Sequence, residues 1–110
     1  MKNLQKYLID ALDAIENIEK ISVGLTIDDM NNIYTKWALE RGLSIIGEAI
    51  YQADKLQKNL PVTNLTRIKA TRHIIVHDYD VVDKVQIFST VVKHLPLLKQ
   101  EIQSILNTEE

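Results

Sequence analysis

The stretch IDDMNNIYTKWALERGLSIIGEAIYQADKLQK, residues 27–58, decides the fold. Ile33, Trp37, Leu43, Ile46, Ile50, Ala53 and Leu56 follow the three- and four-residue steps of an apolar stripe on a helix. The pattern predicts a short helix followed by a long one. Gly42 and Gly47 fall inside it, and an interior helical glycine costs about 0.5–1 kcal/mol relative to alanine. Close packing of another backbone segment is the expected compensation.

On the N-terminal side, apolar residues at 4, 8, 11, 12, 15, 18 and 21 obey the same rule, predicting an amphipathic helix over 3–23. Gly24 stands just past its end, where a left-handed residue is easiest. Thr26 is placed to cap the next helix, with Asp28 and Asp29 in that helix's first turn beside its positive dipole end. On the C-terminal side, KNLPVTN breaks the pattern at Pro61. Thr63 or Asn64 can cap a further helix to about Val76, and Asp80 or Asp83 a last long one to about Leu106. Pro96 should kink that last helix, because it removes one hydrogen bond and clashes with the preceding turn. No segment sustains a period of two. The expected fold is therefore all-α, an up-down bundle of four to five helices forming a single domain over 1–110. The stripes are wide enough to leave surface for a second copy.

A hydrophobic fraction of 45% and a charged fraction of 25% are ordinary for a folded globular chain, which argues against disorder. No run approaches the roughly 18 consecutive apolar residues of a membrane span. The first twenty residues are too rich in Asp, Glu and Lys for a secretory signal. With no cysteine there is neither a disulfide framework nor a thiolate metal site. A cytoplasmic location is the simplest expectation. The net charge of −2 argues against a protein that coats nucleic acid generally, but the charge is unevenly spread. No acidic residue lies between Lys55 and His77, while Lys55, Lys58, Arg67, Lys69 and Arg72 do. A basic segment inside an acidic chain is a local electrostatic footprint, although solvated helix and loop charges would look the same.

Residues 70–80, ATRHIIVHDYD, gather two of the three histidines with an arginine, a tyrosine and two aspartates. His73 and His77 are four apart and share one helix face, a permitted metal-ligand spacing. They make an incomplete set, since zinc needs a third protein ligand, so no metal is expected. Arg72 and His77 are five apart, about 140° around an ideal helix, and do not converge within one regular helix. They could do so if the helix loosens near His77, or across the twofold axis of a dimer. Such a set suits phosphodiester chemistry: arginine holds phosphate bidentately and stays charged, and histidine exchanges a proton near neutral pH. Spacing alone equally accommodates Arg72 paired with a carboxylate and His77 capping a helix C-terminus. Tyr79 alone could simply cover a helix junction with its ring.

Arg72, four residues, His77, Asp78 and Tyr79 form an R-x4-H-x-Y arrangement that resembles the signature of the HEPN superfamily, in its HepT-like branch. AIENIEKISVGLT is similar to that branch's first helix and turn, LSIIGEAI to its core, VHDYDVVD to its motif exit and LPLLKQEI to its last helix. The likeness runs from about residue 5 to 106. It implies a small helical homodimer with a cleft at the interface, acting as a metal-independent endoribonuclease without a cofactor. It also implies a toxin neutralised by a nucleotidyltransferase antitoxin that transfers AMP to Tyr79. Under this resemblance Arg72 and His77 are the catalytic pair and Asp78 a supporting polar residue. His73 takes the polar position after the arginine, where Asn or Asp is more usual. Lys55, Lys58, Arg67 and Lys69 would guide the RNA backbone. The alternative is a non-catalytic subunit that binds substrate for, or regulates, a nucleotidyltransferase.

Overall fold

The computed structural model describes residues 2–73 and 84–109. Helix α1, Lys2–Ile21, turns at Gly24 into a short 3-10 helix, Ile27–Asn31, and the long α2 follows at Ile33–Leu56. Helix α3 is Leu65–Ala70, continued by a 3-10 turn at Thr71–His73. The C-terminal rod is α4, Lys84–Ser89, a π-helical turn at Thr90–His94, and α5, Leu95–Glu109. The fold is all-α. Among the described residues no helix is long and apolar enough to cross a membrane.

Helices α1 and α2 form the central hairpin, with α5 against α1 and α3 against α2. Leu4, Leu8, Ala11, Ile15 and Ile18 of α1 are buried against Leu39, Leu43, Ile46, Ile50 and Ala53 of α2. Leu95, Leu98, Ile102 and Ile105 close the core from α5. Each set steps by three or four, so one face of each helix leaves water. Full burial of one such aliphatic side chain is worth about 1.5–3 kcal/mol.

The helix punctuation follows local chemistry. Gly24 takes φ 69°, which a Cβ would disfavour. The Thr26 amide and hydroxyl donate to the Asp29 carboxylate at 2.7 and 3.2 Å, starting the 3-10 helix. The Asn32 side-chain oxygen accepts from the Tyr34 and Thr35 amides at 2.9 and 3.2 Å, satisfying two orphan donors of α2. At α3 the cap is tertiary. Asn64 sits at the N-cap position in left-handed geometry without a side-chain cap bond, and the Thr63 amide and hydroxyl instead donate to Glu101 of α5.

Three residues of the expected α2 stripe are corrected. Ile33, Trp37 and Leu56 are 51, 55 and 39% exposed. At 100° per residue they lie about 90–130° from the buried line through Leu43 and Ile50, so spacing that looked continuous has drifted off the core face. The expected kink at Pro96 takes the form of the π-helical turn just before it. The Leu95 amide reaches back five residues to the Thr90 carbonyl, and this wide turn absorbs the register change beside a residue with no N–H. The expected end of the fourth helix at Val76 and the caps Asp80 and Asp83 lie outside the described residues.

Glu40 is the buried acid of the core edge. Its Oε2 makes no hydrogen bond among the described residues, and Lys36 Nζ stands 4.0 Å away. Burial raises its pKa above the usual carboxylate value, and attraction to Lys36 only partly offsets this. A raised folded-state pKa makes the acid's contribution full below its unfolded pKa of about 4.3 and progressively lost as pH rises through the folded value. Glu40→Gln is therefore expected to melt above the parent protein at pH 7, with the gap closing toward pH 4. Equal melting temperatures at pH 7 would show that the ionised form is fully compensated.

Candidate functional site

Arg72 is posed by one face of α2. Ser44, Gly47, Glu48 and Tyr51 stand at i, i+3, i+4 and i+7, and each meets the 71–73 turn or the Arg72 side chain. The Ser44 hydroxyl donates to the Arg72 carbonyl at 3.2 Å. Gly47 lets the backbones touch: a Cβ there would collide with the Arg72 amide nitrogen and lie 2.9 Å from the Ile68 carbonyl oxygen. The buried Thr71 hydroxyl fastens the same junction, 2.8 Å from the Leu43 carbonyl oxygen and 2.7 Å from that of Ile68. Further out, the Arg72 guanidinium carbon lies 3.5 Å from the centre of the Tyr51 ring. Glu48 Oε1 is 3.8 Å from Arg72 Nη1, near enough to balance charge but too far for a hydrogen bond. Gln52 donates to the other Glu48 oxygen at 2.7 Å.

Arg72 lines a groove of about 700 Å³ between α1 and α2. One wall carries Asp10 and Asp13, the other Arg41, Ser44, Ile45 and Glu48. Lys6 pairs with Asp10 at 3.0 Å. The groove is thus of mixed charge, with an acidic α1 wall facing Arg41 and Glu48 of α2 and Arg72 of the 71–73 turn.

The structure divides the basic segment. Lys55 Nζ lies 5.2 Å from the Tyr51 ring centre, so Lys55 and Arg72 share one aromatic ring. Lys69 pairs with Asp54 at 2.8 Å. Arg67 points the other way, to the start of α5, where Nη1 lies 3.1 Å from His94 Nε2. An arginine can only donate, so this His94 nitrogen is an acceptor and the ring proton sits on Nδ1. The Asn64 amide, 3.5 Å from Nδ1, then presents its oxygen rather than its nitrogen. Lys58 is exposed just after α2. Sequence-local charge did not anticipate this, because Asp54 lies one residue before the acid-free stretch.

His77, Asp78, Tyr79 and the side chain of His73 lie outside the described residues. The helix tightens from α to 3-10 at Thr71–His73, a departure from regular geometry immediately before them. Sequence reading flagged Gly47 as a close-packing site but missed Ser44, Glu48 and Tyr51. Their signal was there: a second stripe beside the apolar one, at helical spacing around an unexplained glycine.

A family model described as ribonuclease HepT-like matches residues 11–105. Among curated proteins, the chain is similar to the candidate RNases MJ1216 and MJ0125 of Methanocaldococcus jannaschii. Each is 24% identical over 99% of this chain, covering 92 and 96% of those proteins. A third candidate RNase of that organism, MJ1380, is 23% identical over 94% of the chain and 97% of its own length. No solved structure matches.

Proposed function

The chain belongs to the ribonuclease HepT-like family, and from that premise we propose that it cleaves RNA by internal transesterification, with Arg72 and His77 as its catalytic pair. His77 takes the proton of a ribose 2′-hydroxyl as that oxygen attacks the adjacent phosphorus. Arg72 steadies the charge growing on the phosphoryl oxygens. The P–O5′ bond breaks, the departing oxygen gains a proton, and the products carry a 2′,3′-cyclic phosphate and a 5′-hydroxyl. No metal takes part. The observation that carries the reading is the pose of Arg72, anchored through Ser44 and Gly47 and opening onto the groove.

The site is completed by a second copy. Tyr34 and Trp37 are 76 and 55% exposed, meet edge to face at 6.5 Å, and continue along the outer side of α2 into Arg41 and Ile45. An exposed aromatic patch in line with a charged groove is the anatomy of an interface. Around a twofold axis, Arg41 of each copy would meet the acidic α1 wall of the other. Trp37→Glu is expected to give monomers by light scattering and to lose cleavage with them. A dimeric Trp37→Glu protein would move the interface elsewhere.

We further propose, from the family resemblance, that a nucleotidyltransferase antitoxin attaches AMP to Tyr79. The new phosphodiester would place negative charge and bulk at the position meant for RNA phosphate. Incubation with such an enzyme and ATP should add one AMP mass to Tyr79 and stop cleavage. The acidic α1 wall favours a second reading, a non-catalytic subunit, since it weakens attraction for a polyanion. Unstructured RNA incubated with the pure protein in EDTA separates the two. Fragments ending in cyclic phosphate support the nuclease, and intact RNA supports the binder.

A further inference from the structure

We infer that Tyr51 is the positioning residue for Arg72, holding its guanidinium flat so that the N–H edge stays available to an RNA phosphate; this rests on the nuclease reading above. At 3.5 Å from guanidinium carbon to ring centre, only a face-to-face arrangement clears the ring, because an edge-on guanidinium would drive its nitrogens inside van der Waals contact. The ring therefore occupies the face of the cation and none of its in-plane donors. Glu48, at 3.8 Å, offsets the charge without taking a donor, and Gln52 holds that carboxylate back by a 2.7 Å hydrogen bond. Three side chains spaced along one helix face thus leave the guanidinium fixed in orientation and, among the described residues, unspent in side-chain hydrogen bonds. A free arginine side chain has several rotatable bonds to order on binding phosphate; this one has been ordered in advance.

The role belongs to the ring, not to its hydroxyl. Lys55 Nζ lies 5.2 Å from the centre of the same ring, so a second cation shares it with Arg72. Tyr51 is half-buried, so its replacement leaves the fully buried core intact.

The test compares Tyr51→Phe with Tyr51→Leu and Tyr51→Gln. Steady-state RNA cleavage should show kcat within twofold of the parent in the Phe protein. In the Leu and Gln proteins kcat should fall roughly 3- to 30-fold, the factor a partly desolvated cation–π contact is worth, with KM nearly unchanged. In parallel, the Arg72 Nε–Hε resonance, identified by its disappearance in Arg72→Lys, should be shifted by the ring current in the parent and the Phe protein only. The inference is overturned if the Leu and Gln proteins, melting like the parent, cleave at its rate, or if the resonance ignores the ring. If the parent protein itself cleaves no RNA, the nuclease reading fails; a ring-shifted Arg72 resonance would then still establish the positioning contact on its own.

Discussion

Arg72→Ala is expected to cleave RNA about 10²–10³-fold more slowly than the parent protein while melting at a similar temperature. That factor is typical for removing one preformed donor to a developing oxyanion. The side chain is partly exposed, so its truncation removes the stack on Tyr51 and the long pair to Glu48 but opens no core cavity. Arg72→Lys should recover little. It restores a charge but neither the planar face that lies on Tyr51 nor the two-pronged edge. His77→Ala should cost about 10²–10⁴-fold, the range for a general base or acid. Because both groups serve one transition state, the double variant should be hardly slower than the worse single one. Losses that multiply instead would mean that the two residues act in separate steps. Unchanged cleavage by a folded Arg72→Ala or His77→Ala protein would remove that residue from the mechanism.

Gly47→Ala should be the most damaging small substitution in the fold. Alanine in a helix interior normally gains about 0.5–1 kcal/mol over glycine. At Gly47 the added Cβ meets the Thr71 hydroxyl, the Arg72 amide nitrogen and the Ile68 carbonyl, two of them backbone atoms that cannot swing aside. Overpacking of this kind typically costs 1–3 kcal/mol. For a domain of this size each kcal/mol lowers the melting temperature by roughly 4–6 °C. The turn must lift away from α2, so Arg72 leaves Tyr51 and cleavage should fall with stability. Gly42 is the control. Its added Cβ meets Cγ1 and Cδ1 of the Ile18 side chain, both at 2.7 Å, but no backbone atom. Gly42→Ala should therefore be much milder. A Gly47→Ala protein as stable as the parent would refute the close-approach account.

Much of the fold was legible because helix rules are local. The apolar spacing of α1, the left-handed Gly24 and the break at Pro61 each depend on neighbours within a few residues, and the structure places them where they were read. Pro96 was legible as a disturbance but not as a π-helical turn, because two ways of absorbing a lost hydrogen bond differ only in packing. Trp37 and Ile33 misled because three- and four-residue steps accumulate angular drift, and only the position of α1 and α3 says where the buried face stops.

By itself the sequence determined the helices and their order, and its resemblance to the HepT-like pattern singled out Arg72, His77 and Tyr79 as candidates. Only the tertiary structure decided which residues serve Arg72. Ser44, Gly47, Glu48 and Tyr51 lie 21 to 28 positions away along the chain and reach it because α3 and its 3-10 turn pack across α2. It likewise decided that Lys69 is answered by Asp54 and that Arg67 faces His94. The reason is physical: a helix dictates which residues share a face, but the partner of that face is chosen by the close packing of backbones, which no local pattern encodes.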